Sequence, residues 1–208
     1  MDGDSLRSFV FAVEFTIGDP SRVWAVLTSS ESSLRGLGAR YVFVYESIIE
    51  PGKMLVVIGI RTEQPPPQLL RSPELFGWFD AVGLDDLPAV FVGETVELFD
   101  IGDPPPADTE IVVAAVTPVD DVDGFMVRVR ESLPGFAEAG IRRTLVYRAL
   151  DTTHEVMFLQ QLASEQNALK WVERSEIAAS WLTSAGVGAY PPVFVGRFLN
   201  AMRLAEQS

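Results

Sequence analysis

The chain spells nearly the same segment twice. RSPELFGWFDAVGLDDLPAVFVG (71–93) and RSEIAASWLTSAGVGAYPPVFVG (174–196) align without a gap at a separation of 103 residues. Nine of the 23 positions are identical, among them Arg71/Arg174, Ser72/Ser175, Trp78/Trp181, Gly83/Gly186 and the closing Val-Phe-Val-Gly. Ordinary residue usage would supply about one or two identities, so the pattern reads as an internal duplication. That constrains the fold strongly, because each copy must be a structural unit that buries its apolar face on a neighbour.

With the separation reduced by one residue, the match extends to DPSRVWAVLTSSESSLRGLG (19–38) and DVDGFMVRVRESLPGFAEAG (121–140). In the first, Asp19 and Pro20 form a helix start, Val23, Leu27, Leu34 and Leu37 recur at helical spacing, and Gly38 suits the left-handed C′ position. The second keeps Asp121 and Gly140 around a stripe of Met126, Val129, Leu133 and Phe136. Pro134 is expected to kink this helix or split off its last turn.

Short apolar runs precede each helix, FVFAVEF (9–15) and EIVVAAV (110–116), and two more follow it around a polar turn, EPGK in the first half and DTTHE in the second. Their β-branched and aromatic content reads as hairpins. A second helical stretch and the Val-Phe-Val-Gly strand complete a β-α-β-β-α-β order, the ferredoxin-like arrangement, in which helices cover one face of a four-stranded antiparallel sheet. The fold class is therefore α+β, with one repeat at 1–101, a proline-rich linker at 102–109 and a second repeat at 110–208. The helix-free face of each sheet must also be buried, and the economical partner is the other sheet, giving a pseudo-two-fold α/β barrel.

Charge and composition exclude several functions. A net charge of −13 argues against a nucleic-acid partner. The absence of cysteine excludes disulfides, thiolate catalysis and Cys-based metal sites. The start, MDGDSLRSF, is polar and acidic and no apolar run reaches membrane-spanning length, so the expectation is a cytoplasmic protein without a membrane partner. If the chain closes its own barrel, it can be a monomer or a homodimer.

LASEQNALKWVERSEIAASW (162–181) and LLRSPELFGWF (69–79) resemble a segment of the dimeric α/β-barrel superfamily, in particular its antibiotic-biosynthesis-monooxygenase-like branch, where W-x-S-x-E-A-L-x-x-H precedes a Ser-Pro break and a short helix. Leu162 stands where that pattern has Trp, and Lys170 or Trp171 where it has His. EQPPPQLL interrupts the same segment in the first copy, which therefore reads as scaffold. The resemblance implies a small-molecule barrel, with cofactor-independent oxygenation of a hydrophobic or aromatic compound as one activity. It also implies that Asn167 and Trp171, one helical turn apart, are candidate catalytic residues that hold a substrate. Core packing is the other reading of Trp171.

Candidate binding residues come from the strands. Glu14 and Glu46 are either a carboxylate pair in a cavity or strand ends near solvent. Tyr147, Arg148 and Gln160 could orient a polar aromatic ligand at a cavity mouth or serve structure alone. The single histidine, His154, falls in a turn and is expected in solvent rather than on a metal, and Met54, Met126, Met157 and Met202 read as core. The acidic run 119–124 lacks the spacing of a calcium loop and reads as a helix cap. No haem, metal or other cofactor is expected. The competing functional reading is a non-catalytic binding or structural protein.

Overall fold

The computed structural model describes residues 7–62, 73–84, 86–103, 110–152, 154–174 and 192–204. The first half contains β1 (Arg7–Thr16), α1 (Ser21–Ser29), α2 (Glu31–Gly36), β2 (Ala39–Ser47), β3 (Lys53–Thr62), α3 (Pro73–Val82) and β4 (Ala89–Asp100). The second contains β5 (Ile111–Pro118), α4 (Val122–Glu138), β6 (Ile141–Ala149), β7 (Glu155–Leu162), α5 (Glu165–Arg174) and β8 (Val193–Arg203). Among the described residues no helix is long and apolar enough to cross a membrane.

The chain divides into two compact units, Met1–Glu94 with Leu199–Ser208, and Thr95–Phe198. These limits differ from a division at 102–109, because β4 begins in the first unit and ends in the second, while β8 does the reverse. Of the expected linker, residues 104–109 lie outside the described residues, as does the segment 175–191 where the second copy's last helix was expected.

In the first unit β1 lies between antiparallel β3 and β4, and β3 lies between β1 and β2. In the second, β5 lies between β7 and β8, and β7 between β5 and β6. The registers correspond in detail. Phe11 faces Ile58, which faces Val42, and 102 residues later Val113 faces Gln160, which faces Thr144. The last strand is offset by one more residue, Phe11 facing Val92 and Val113 facing Val195. The one-residue change needed to align the two halves of the sequence is thus present in the strand pairing.

β1 is apolar on both faces because both are buried, which explains its near-continuous hydrophobic run. Phe9, Phe11, Val13 and Phe15 join Met54, Val56, Ile58, Ile60, Val42 and Val44 beneath the helices, where α1 contributes Val23 and Leu27, α2 Leu34, and α3 Phe79 and Val82. Each such fully buried side chain contributes about 1.5–3 kcal/mol. On the opposite face, Val10, Ala12, Leu55, Val57 and Phe91 are buried, and Tyr41, Phe43 and Tyr45 form a ladder with ring centroids 5.0 and 6.4 Å apart. Gly59 is required there: the Tyr41 ring lies where its Cβ would project.

The helices reverse one expectation. α4 continues through Pro134 to Glu138, whereas the proline-free counterpart breaks at Ser30 into α1 and α2. The break follows a run of hydroxyls that turn back on the helix, Thr28 Oγ1 donating to Trp24 O and Ser29 Oγ to Val26 O, a competition that weakens helical geometry. Both helices keep their expected starts. Asp19 accepts from Ser21 N and Oγ, and these bonds, helped by Arg22, hold its carboxyl below the usual carboxylate range. Asp121 accepts from Asp123 N and Gly124 N, so the acidic run is a cap. Gly38 and Gly140 close them with φ of 82° and 87°.

Candidate functional site

The break between α1 and α2 opens a cavity of about 290 Å³ between the helices and the sheet of the first unit. Its floor is Phe11, Val13, Val56, Ile58 and Ile60, and its roof is Leu27, Leu34, Trp78 and Ala81. Ser29, Ser30 and Ser33, the residues around the helix break, are the hydroxyl-bearing part of the lining. The described lining contains no Asp, Glu, Lys, Arg, His, Tyr, Met or Cys.

Trp78 is the lining residue with an unanswered demand. Its ring is fixed by edge-on contacts with Phe15 at 5.8 Å and Phe79 at 5.4 Å. Its Nε1 is buried and has no hydrogen-bond partner among the described residues. An indole N–H removed from water without an acceptor costs free energy.

The second unit carries different side chains at the matched positions. Trp171 of α5 is 4% exposed, stands edge-on to Phe136 at 5.6 Å, and donates from Nε1 to Gln160 Oε1 at 2.8 Å. Gln160 stands 102 positions after Ile58, on the cavity floor, and Phe136 stands 102 positions after Leu34, in its roof. A glutamine and a phenylalanine therefore stand where the first unit has Ile58 and Leu34. The described cavity lies in the copy read as scaffold.

None of the seven residues singled out in the sequence lines this cavity. Glu14 faces Leu55, which faces Tyr45, and so lies on the helix-free face, while Glu46 faces Met54, which faces Phe15, on the helix-covered face. Of the two readings of Glu14 and Glu46, the registers do not give the carboxylate pair: the sheet separates the two. Glu14 instead binds Lys53 Nζ at 3.0 Å, which also binds Glu50 at 2.8 Å. Burial works against the Lys53 ammonium, but the bonds from Glu50 and Glu14 and their charges outweigh it and hold its pKa above the usual value.

Of the two readings of Tyr147, Arg148 and Gln160, the registers do not bring the three to one cavity mouth. Tyr147 faces Met157 on the helix-free side, whereas Gln160 is wholly buried under α5 beside Trp171. Arg148 shares Gln160's face but pairs with Val156, four residues along β7, roughly 13 Å away at strand spacing. Asn167 packs over Gly140 and its backbone N–H bonds Ser164 Oγ, so it secures the start of α5 and the end of α4.

His154 is exposed, with Nδ1 3.0 Å from Asp120 O. Met54, Met126, Met157 and Met202 are all buried. Among the described residues there is no group of three or more His, Asp or Glu side chains that could hold a metal. The described lining offers no His, Cys, Met or Tyr as an axial ligand for haem iron.

Two signals in the sequence pointed to the cavity. One is the hydroxyl run TSSESS inside an amphipathic helix, and the other is the loss of bulk between matched positions, Leu34 against Phe136.

No protein-family model matches the chain, and no curated protein matches it. Solved structures do. An anthrone oxidase-like protein aligns over 98% of this chain and 96% of its own, with a TM-score of 0.66 at 14% identity. A ferredoxin-fold protein from Listeria monocytogenes, related to antibiotic biosynthesis monooxygenases, covers 94% of this chain and 96% of its own (TM-score 0.54, 11% identity). A heme-degrading enzyme from the same organism covers 92% and 99% (TM-score 0.52, 11% identity). The resemblance read from the sequence thus holds for the fold, which hosts several chemistries.

Proposed function

We propose that this chain is a small-molecule-binding protein on a monooxygenase-type scaffold, and that its ligand is an apolar, aromatic compound held under the helices of the first unit. The observation that carries the reading is the cavity of about 290 Å³, apolar on its floor and roof and hydroxylated only around the helix break. We further propose that the chain is a tandem duplication whose two sheets close as a pseudo-two-fold barrel. The matched registers support this, as do β4 and β8, each of which leaves the unit in which it begins.

Binding is the part of the reading that the geometry carries furthest. Cofactor-independent oxygenation needs a base to generate the electron-rich form of the substrate, and the described lining supplies no titratable side chain in the physiological range. The enzymatic reading keeps its support in the fold shared with an anthrone oxidase-like protein. Native mass spectrometry of freshly purified protein tests the binding reading, together with saturable uptake of fluorene followed by its fluorescence. A retained small molecule or one-to-one uptake is expected. A bare mass together with no uptake would overturn it. Oxygen consumption with the retained compound, measured on the same preparation, separates an enzyme from a binding protein.

A further inference from the structure

Resting on that reading, we infer that Ser30 is the specificity-determining residue of the cavity, and that the ligand carries an uncharged hydroxyl on the end of its apolar body that faces the break between α1 and α2. Three observations converge on this chemistry.

The first is the place of Ser30 on its helix. Val23 and Leu27 of α1 and Leu34 of α2 are buried at helical spacing, and Ser30 falls on the same stripe, three residues after Leu27 and four before Leu34. It lines the cavity between these two leucines. Ser30 is half-buried and its neighbours in the lining, Ser29 and Ser33, are exposed, so this side of the cavity opens to water.

The second is that the Ser30 hydroxyl has no use within the fold. A serine in or beside a helix ordinarily caps the next N-terminus or donates to the carbonyl four residues back. Ser30 is the N-cap of α2, but its side chain makes no capping bond. The carbonyl four residues back, Val26 O, already accepts from Ser30 N at 3.0 Å and from Ser29 Oγ at 2.8 Å. In the second copy the matched serine, 102 positions on, is Ser132, whose Oγ donates to Arg128 O at 2.8 Å. Of the two matched serines, the one without a side-chain partner among the described residues is the one that lines the cavity.

The third observation is charge. The described lining has no cation, and Arg35 of α2 is already bound by Glu31 through both Nε and Nη2. With a net charge of −13, a carboxylate or phosphate would enter without compensation and against the field of the whole molecule. A serine hydroxyl both donates and accepts, and a neutral hydroxyl on the ligand answers it in either sense.

Three probes of one shape test this by their fluorescence: fluorene, 2-hydroxyfluorene and the anionic fluorene-2-carboxylate. The wild-type protein should bind 2-hydroxyfluorene about 3- to 10-fold more tightly than fluorene, the range expected for one net hydrogen bond, and the carboxylate more weakly than either. This comparison does not depend on how any variant folds. In Ser30→Ala the preference for 2-hydroxyfluorene should vanish while fluorene binding persists, and in Ser132→Ala the preference should be unchanged. Equal affinity for fluorene and 2-hydroxyfluorene, tightest binding of the carboxylate, a preference that survives in Ser30→Ala, or one lost equally in Ser132→Ala would each overturn the inference and leave the cavity reading standing. Failure of fluorene and 2-hydroxyfluorene alike to bind would count against the cavity reading itself.

Discussion

Replacing Trp171 with Phe distinguishes a substrate-holding tryptophan from a structural one, and the structure sets the size of the effect. Trp171 is 4% exposed and its Nε1 supplies the hydrogen bond to Gln160, which is fully buried and whose Nε2 already lacks a partner. Phe keeps the edge-on contact with Phe136 but strands Gln160 Oε1, at about 1–3 kcal/mol for an unsatisfied buried acceptor. The smaller ring also gives up roughly 40 Å² of apolar contact, about 1 kcal/mol. The sum is about 2–4 kcal/mol. With a urea slope of about 2–3 kcal/mol/M, the unfolding midpoint should fall by about 1 M. Adding Gln160→Ile, which installs the aliphatic character of Ile58, removes the stranded amide and should recover the hydrogen-bond part of the loss. Equilibrium urea unfolding of the two single variants and the double variant completes the cycle. A Trp171→Phe midpoint within error of the wild type would refute the structural assignment. So would a double variant no more stable than Trp171→Phe.

Leu34→Phe, which places in the first unit the side chain found at residue 136, should reduce fluorene binding at least about tenfold. Thermal stability should hold or rise by under about 1 kcal/mol as the cavity shrinks, which calorimetry can read. Gly59→Ala should destabilise by about 1–3 kcal/mol because the added methyl meets the Tyr41 ring, and urea unfolding should show the loss shrinking when Tyr41 is replaced by Ala. Lys53 has a raised folded pKa, so its contribution is fully present below the unfolded value of about 10.4 and is lost as pH rises through the higher folded one. The difference in melting temperature between wild type and Lys53→Met should therefore shrink as pH rises through the folded pKa and hold steady below the unfolded one.

The segments that the sequence spells twice made the element order and pairing legible, because similar β-branched runs and the same closing strand occur twice in phase with a helix between them. The caps were legible too, since Asp19, Asp121, Gly38 and Gly140 act through local backbone geometry. Strand face assignments were not. Alternation gives the parity of Glu14 and Glu46 within each strand, but which parity faces the helices depends on the register between strands, which pairs Glu14 with Leu55 and Glu46 with Met54. The helix break was misplaced because Pro134 is a stronger local breaker than serine, yet it falls in the last turn of α4. The hydroxyls of Thr28 and Ser29 act mid-helix in the counterpart.

A ligand that binds the first unit's cavity only in the folded state should stabilise the fold in proportion to the logarithm of its concentration above Kd. The lining of that cavity is apolar on its floor and roof and hydroxylated around the helix break, so an apolar aromatic compound is the occupant to test. Melting temperature should climb with added fluorene in the wild-type protein and stay level in Leu34→Phe. A climb of equal size in both would place the ligand somewhere other than the cavity.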